Sequence, residues 1–350
     1  MNEVQCKKDT NRYFSWYRND KAAMIGLSLR GKDHISHQVP LQDYHLLRIL
    51  PNGWLLAVVC DGVGSEPYSD VGSVIAAKSF ADFICEYWGV YVDEVNIHNI
   101  MKSAALFATG KIKKKSEEDG NSIYDYSTTL HAVIFADGIV YFFHSGDGGI
   151  VAMFEDGNFS LITEPQKGSD KQSVIPLLSS PAYWQIGTVK KKAISIMLCT
   201  DGLYDKIVST PLKRYGDGID KTIAAFYMSP WVISQDVKIM DIADLYCRTF
   251  NEIKPDLFYS RIEQAISQGK NNKKVKQFVN DYVYQNNRPL KEIEGIRDDI
   301  TAAIIVNTTK MPARKPIDYY KGPNWEEINL KIYNEIYNNL GEEEKCITQE

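Results

Sequence analysis

The run TTLHAVIFADGIVYFFHSGDGGIVAMFEDGNFSLIT, residues 128–163, constrains the fold more than any other part of this chain. Three apolar stretches of strand length are punctuated by Asp137-Gly138, a Gly-rich stretch around Asp147, and Asp156-Gly157. Asp-Gly supplies the positive φ that tight hairpin loops need, so the pattern predicts strand, turn, strand, turn, strand in an antiparallel meander. Residues 44–60, YHLLRILPNGWLLAVVC, read as a further hairpin around Pro51-Asn52-Gly53. YWQIGTV, AISIMLCT and ITAAIIV (300–306) each add a strand.

Helical spacing surrounds these strands. From Ser69 to Trp88 the apolar positions fall at 71, 74/75, 77, 81, 84/85 and 88, and a second helix is expected over about 92–114. Between Asp205 and Arg297 the chain turns helical, near 219–228, 238–252, 256–267 and 273–284. After Pro312 one more amphipathic helix is expected, with Asn324 and Glu327 as a capping box and Trp325, Ile328, Ile332, Ile336 and Leu340 as its apolar face. The fold class is therefore α+β, a four-layer α/β/β/α sandwich of two antiparallel sheets flanked by helices. One core domain is expected over 20–308, with 206–297 as an enlarged helical insertion forming a flap region, and 309–350 as a C-terminal tail.

Composition narrows the class of function. The chain has 350 residues, 44% hydrophobic and 24% charged, and a net charge of -5. That balance disfavours nucleic acid or an anionic membrane as the main partner, since both select basic surfaces. The dense basic run KIKKK at 111–115 is followed at once by SEEDG and reads as a solvated helix end. The opening twenty residues are polar, no apolar run reaches bilayer length, and the six cysteines are scattered without a CxxC pair. A reducing, cytoplasmic setting is expected, without structural zinc or disulfides.

Asp-Gly occurs seven times, at 61, 119, 137, 147, 156, 201 and 217, and a single instance signals only a turn. Context separates them. Asp61 and Asp201 each close a strand that looks buried on both faces, LLAVVC and ISIMLC, and no strand resumes behind them. Asp147 follows IVYFFHSG, and Asp298 and Asp299 stand just before ITAAIIV. If these strand ends share one rim, several carboxylates meet there and require a cation to stay ionised together. An all-oxygen set suits hard divalent ions, Mg²⁺ or Mn²⁺. Two such ions clamp a phosphate and activate water, so the residues point to a two-metal hydrolase of phosphate esters.

CDGVGS, STTL, HSGDGGIVAMF, LCTDGLYD and RDDITAAIIV, in that order, resemble the successive motifs of the metal-dependent serine/threonine protein phosphatases of type 2C, the PPM class. GLSLRGKDHISHQVPLQDY, residues 26–44, is similar to the opening motif of a bacterial branch of that family. The resemblance implies a binuclear centre in which Asp61 bridges the ions and Gly62 offers its carbonyl to one of them. Asp201 and Asp298 would complete the first ion's shell, and Asp43 would hold the second, largely through water. Asp147, with Asp201 and Asp205, matches positions that hold a third, weaker ion in some members.

The implied reaction is hydrolysis of phosphoserine and phosphothreonine in proteins by a water that bridges the two ions, with Asp61, Asp201 and Asp298 as the catalytic carboxylates. It also implies phosphoprotein substrates and an opposing Ser/Thr kinase. His34 matches the branch pattern and is the candidate phosphate ligand, with Arg30 and His37 as alternatives; Asp299 reads as a spectator. Val63 stands where many eukaryotic members carry a His that protonates the leaving group. That departure leaves a second reading, a non-catalytic regulatory or phosphoprotein-binding module on the same fold. A third reading, a nuclease, conflicts with the acidic balance.

Overall fold

A computed structural model describes residues 3–89, 93–170, 173–269, 271–285 and 296–335. Among these residues the strands are β1 (Gln5–Lys8), β2 (Arg12–Arg18), β3 (Ala22–Leu29), β4 (Tyr44–Ile49), β5 (Leu55–Cys60), β6 (Leu130–Ala136), β7 (Ile139–Ser145), β8 (Gly149–Phe154), β9 (Phe159–Leu161), β10 (Gln185–Val189), β11 (Ala193–Cys199) and β12 (Ile300–Asn307). They form two antiparallel sheets, ordered β1-β2-β3-β12-β11-β8-β9 and β10-β7-β6-β5-β4. The helices are α1 (Lys32–Ser36), α2 (Ser69–Glu86), α3 (Glu94–Asp119), α4 (Asp201–Ile207), α5 (Thr210–Tyr215), α6 (Lys221–Met228), α7 (Pro230–Ile233), α8 (Ile239–Asn251), α9 (Pro255–Gln268) and α10 (Lys273–Gln285).

The expected sandwich is present, and its layers follow from side-chain alternation. Ile196 and Leu198 of β11 face inward onto Leu47, Ala57, Val59 and Val133 of the smaller sheet. Met197 and Cys199, one residue out of phase, face the helices. On the other side, Phe80, Ala81 and Ile84 of α2 and Met101, Ala104 and Ala108 of α3 cover Leu56, Val58 and Ala132. The lysine run in α3 makes Lys113–Glu117, Lys114–Glu118 and Lys115–Asp119 pairs along an exposed face, as a solvated helix end does.

Two expectations change. The 128–163 segment is not one meander: β6 and β7 form a hairpin in the smaller sheet, whereas β8 and β9 pair in the larger one. The chain crosses between sheets at Gly146-Asp147-Gly148, where Gly146 has φ 126°, a backbone conformation that side-chain-bearing residues rarely adopt. In addition, the larger sheet begins upstream of residue 20, because β2 pairs with β3 and β1 with β2.

Helices α6, α7 and α8 pack onto the larger sheet as its outer layer, and α9 and α10 pack on those helices. Phe226 stacks on Phe258 with ring centroids 3.9 Å apart, and the Tyr246 hydroxyl donates to the Phe226 carbonyl at 2.9 Å. Arg18 of β2 donates to the carbonyls of Val237, at 3.0 Å, and Ile233, which ties the sheet to this layer. Residues 325–335 form the expected late helix, with Asn324 Oδ1 accepting from the Glu327 N–H at 3.2 Å and Ile328 buried. Ile336 and Leu340 lie outside the described residues.

A polar seam runs between the sheets at the end that carries the strand-terminal aspartates. His45 of β4 is fully buried, 2.8 Å from Ser28 Oγ through Nδ1 and 2.9 Å from Ser15 Oγ through Nε2, and burial drops its pKa to about 3. Thr301 Oγ1 donates to Ser28 Oγ at 2.7 Å. The ring fits because Gly26 in β3 has no side chain; a Cβ there would overlap the imidazole. Gly26→Ala should therefore destabilise the fold by about 2 kcal/mol through overpacking. Gly110→Ala, at an open surface position of α3, should gain roughly 0.5–1 kcal/mol. Urea denaturation of the two variants checks both signs.

Candidate metal centre

Strand register brings the aspartates together. Tyr44 pairs with Cys60, Leu29 with Ile300, and Cys199 with both Ala302 and Gly149, so these termini lie at one end of the sandwich. Asp43 immediately precedes Tyr44 and Asp61 immediately follows Cys60; Asp147 stands two residues before Gly149, Asp201 two after Cys199 and Asp298 two before Ile300. Carboxylate oxygens of Asp61, Asp147 and Asp201 all lie within 4.8 Å of one another.

Each of the three is positioned by its own element. Asp61 is fixed through its backbone: its N–H donates to Thr129 Oγ1 at 2.9 Å, and its carbonyl accepts from the Thr129 N–H and the Thr128 hydroxyl, both at 2.8 Å. Asp147 rides the crossing between the sheets, with Lys167 Nζ 3.9 Å from its Oδ2. Asp201 opens α4, a location that favours a carboxylate through the helix dipole. Gly62 is buried in a tight passage, since a Cβ there would stand 2.7 Å from the Ser69 carbonyl oxygen and 2.8 Å from that of Gln42.

The other expected residues form a second circle. Asp43 is 3% exposed and accepts from the Thr200 hydroxyl at 2.9 Å, deeper in the rim than the trio. Asp298 is solvent-facing, its side chain 58% exposed, and borders the same cavity as the trio. Asp205 lies one turn after Asp201 and raises the pKa of both Asp147 and Asp201 by its charge, but it is not in the closest group.

Electrostatics suit the rim to a cation. Burial first, then the mutual repulsion of the carboxylates, pushes the pKa of Asp43 and Asp61 well above the usual range, and Asp201 rises to about 7. Asp147, itself buried, is raised too, chiefly by desolvation. The converging donors are all carboxylate oxygens, the ligand chemistry of hard divalent ions. On that test the residues fit a Mn²⁺ or Mg²⁺ centre.

The structure redefines several sequence readings. Asp299, read as a spectator, is a buried anchor: it accepts from the N–H groups of Gly31 and Gln42, both at 2.7 Å, and from that of Asp43 at 3.4 Å. His34 Nδ1 lies 2.8 Å from Asp299 Oδ1 and Nε2 3.8 Å from Asp298 Oδ1, so the ring faces two aspartates. Its contact with Asp299 raises its pKa. Arg30 donates to the carbonyls of Val39 and His34 and to Asn11, which commits its guanidinium to the α1 loop, and His37 Nδ1 sits 2.7 Å from the Asp33 carbonyl.

Sequence reasoning missed Thr200, Lys167 and the buried pair His131 and His144. The two Nδ1 atoms of that pair lie 2.8 Å apart, and His144 Nε2 lies 3.0 Å from the Glu164 carbonyl. A carbonyl can only accept, so His144 Nε2 carries the proton and His131 Nδ1 donates to His144 Nδ1. This pair supports the Asp147 turn, and Gly148 leaves room for the His131 ring. STTL was the available signal for the Thr128 and Thr129 contacts; nothing local marks the histidines.

Two open cavities flank the carboxylates. One, of about 520 Å³, is bordered by Asp61, Asp147, Val63, Tyr124 and Ser173. The other, a groove of about 750 Å³, is bordered by Asp205, Ile253 and Trp325. Asp201 and Asp298 belong to both.

Two predictions follow from this geometry. Asp299→Ala strands three buried N–H donors and should cost about 2–4 kcal/mol in urea denaturation. Metal-free protein should also lose stability as pH rises from 6.5 to 8.5. Carboxyl groups with a folded pKa above the unfolded value of roughly 4 stabilise fully below that value, and the contribution disappears as pH climbs through the folded pKa, about 7 for Asp201. The buried His45, His131 and His144, whose pKa values are lowered, give a smaller change of opposite sign that ends about one pH unit above the unfolded value of roughly 6.5. Thermal melts should fall across this window by up to about 1.4 kcal/mol per pH unit per group, and Mn²⁺ should restore more stability at pH 8.5 than at pH 6.5.

Comparison with known proteins adds a lineage. The chain is similar to the Staphylococcus aureus serine/threonine phosphatase Stp1 (12% identity, 87% of this chain and 95% of that one, TM-score 0.46). It is likewise similar to the Mycobacterium tuberculosis serine/threonine phosphatase PstP/Ppp (14% identity, 82% and 98%, TM-score 0.47). A structure of the PstP catalytic domain in complex with two manganese ions matches at 14% identity over 82% and 98%, with a TM-score of 0.46. No curated protein matches the sequence. A family model described as protein phosphatase 2C matches residues 30–229, more than half of the chain, and the protein belongs to that family.

Proposed function

We propose that this protein is a Mn²⁺- or Mg²⁺-dependent phosphatase that hydrolyses phosphoserine and phosphothreonine in other proteins. The observation that carries the reading is the convergence of Asp61, Asp147 and Asp201 to within 4.8 Å at the sandwich end of a type 2C chain. Asp61 would serve both ions, with the Gly62 carbonyl on one of them; Asp201 and Asp298 would complete the first, Asp43 would hold the second, largely through water, and Asp147 with Asp201 and Asp205 a third, weaker one. Bound ions supply Lewis acidity that activates water and neutralises the phosphate.

The chain's own residues supply the remaining requirements. Thr200 donates to Asp43 Oδ2, which leaves the other oxygen of that carboxylate for the rim. Asp299 holds the Gly31–Asp43 segment against β12 and keeps Asp298 in place beside His34. A protonated His34 offsets the charge of that pair, and its Nε2 side is where we place a contact to the substrate phosphate. Cys60, Cys199 and His144 of the motifs are fully buried, and a protonated His34 has no free nitrogen lone pair, which supports direct attack by water.

The substrates under this reading are phosphoproteins, with an opposing Ser/Thr kinase, in the cytoplasm; among the described residues no helix is long and apolar enough to cross a membrane. We read 20–308 as the phosphatase domain, joined by the upstream strands, with 206–297 as its enlarged helical insertion and 309–350 as the tail.

Asp61→Asn and Asp201→Asn should each lower Mn²⁺-dependent turnover of a phosphopeptide at least about a thousandfold. The metal-free variants should melt no lower than wild type, because each substitution removes a repelling carboxylate. Wild-type-like turnover in either variant would sink the assignment, and phosphopeptide binding without turnover in the wild type would favour the non-catalytic reading.

A further inference from the structure

The carboxylate rim is a ridge between two depressions, and the outer one is built from parts remote in sequence. The groove of about 750 Å³ shares Asp201 and Asp298 with the metal-side cavity. Its apolar lining comes from Ile223 of α6, from Ile253 and Pro255 at the junction of α8 and α9, and from Trp325 at the start of the 325–335 helix. Trp325 is 42% exposed, which leaves much of this large side chain uncovered beside the groove.

The groove's other charges do not favour a charged occupant. Asp220 is 2% exposed and caps α6 by accepting from the Ile223 N–H at 3.0 Å. Lys206 offsets part of the Asp205 charge, and Arg297 adds a cation to the same lining. Apolar contact with Trp325, Ile253 and Pro255 is what remains for discrimination.

A small phosphate ester would fill only the ridge. A site with a depression on each side of the reacting position fits an extended chain that crosses the ridge and places its flanks in both. We infer that the outer groove binds the polypeptide flanking the phosphorylated residue, and that Trp325 is a specificity-determining residue selecting a large apolar side chain there. This inference rests on the phosphatase reading. It places the late C-terminal helix in substrate choice, a role that belongs to neither the metal nor the phosphate.

The test uses full-length protein with Mn²⁺ and two phosphoserine peptides that differ only in carrying leucine or glycine at the two positions on each side of the phosphoserine. Wild type should prefer the leucine peptide about tenfold in kcat/KM, mainly through KM. Trp325→Ala should bring the ratio close to one, Trp325→Phe should restore most of it, and Ile253→Ala should lower it in the same way.

A wild-type ratio near one, or a ratio unchanged in both alanine variants, overturns the groove. Failure of wild type to turn over either peptide or an aryl phosphate would count against the phosphatase reading instead. Fluorescence anisotropy of the labelled peptides on the same proteins then decides the groove: preference for leucine that is lost in Trp325→Ala upholds it, and equal binding of the two peptides overturns it.

Discussion

Like charge crowded into a partly dry rim is the constraint around which this molecule is arranged. Asp43, Asp147 and Asp201 each raise the proton affinity of Asp61 by their charge, while Lys167, 3.9 Å from Asp147, offsets the repulsion at that one carboxylate. The strands deliver these groups because apolar runs such as LLAVVC and ISIMLC are buried on both faces and have only their ends free to carry charge. What holds the ends in place is polar: Thr200 on Asp43, Thr128 and Thr129 on Asp61, Asp299 on three N–H groups, and the His45 seam beneath. Removal of any one of these supports changes the spacing of charges whose energy varies steeply with distance.

The two sides of the sandwich do different work. α2 and α3 cover the smaller sheet with an alanine-rich contact, in which small side chains let helix and sheet approach closely. The larger sheet carries the long excursion between Asp201 and Asp298, a thick aromatic layer centred on Phe226, Tyr227, Tyr246, Phe250 and Phe258. Both ends of that excursion are rim residues, so the layer starts and finishes at the carboxylates and contributes the outer groove on the way.

The sequence carried the sheets' interior strands, most helices and the ranking of Asp-Gly pairs, because each depends on local period or on a strand closing at an acid. It did not carry the crossing at Gly146-Asp147-Gly148: a Gly-rich turn between two apolar runs looks the same whether the second strand folds back or changes sheet. β1 and β2 escaped notice because QCKK is an exposed edge and RYFSWYR interrupts its apolar residues with Arg12, Ser15 and Arg18. Asp298 and Asp299 are adjacent and alike in sequence, yet one faces solvent and the other anchors a loop about 260 positions away, a distinction that only tertiary hydrogen bonds create.

The crossing at Gly146-Asp147-Gly148 also has a mechanical side. Asp43 and Asp61 belong to the smaller sheet, Asp201 and Asp298 to the larger, and Asp147 to the link between them. Away from the His45 seam, which bonds β4 to β2 and β3, the contact between the inner faces is apolar and non-directional and sets the spacing of the sheets more firmly than their sliding. A ligand gripped by carboxylates from both sheets acts as a rivet through two plates, locking their relative position at one end. At the opposite end the chain itself fastens the plates, through the short β10–β11 connection and the Ala193 N–H donating to the Gly138 carbonyl at 2.8 Å.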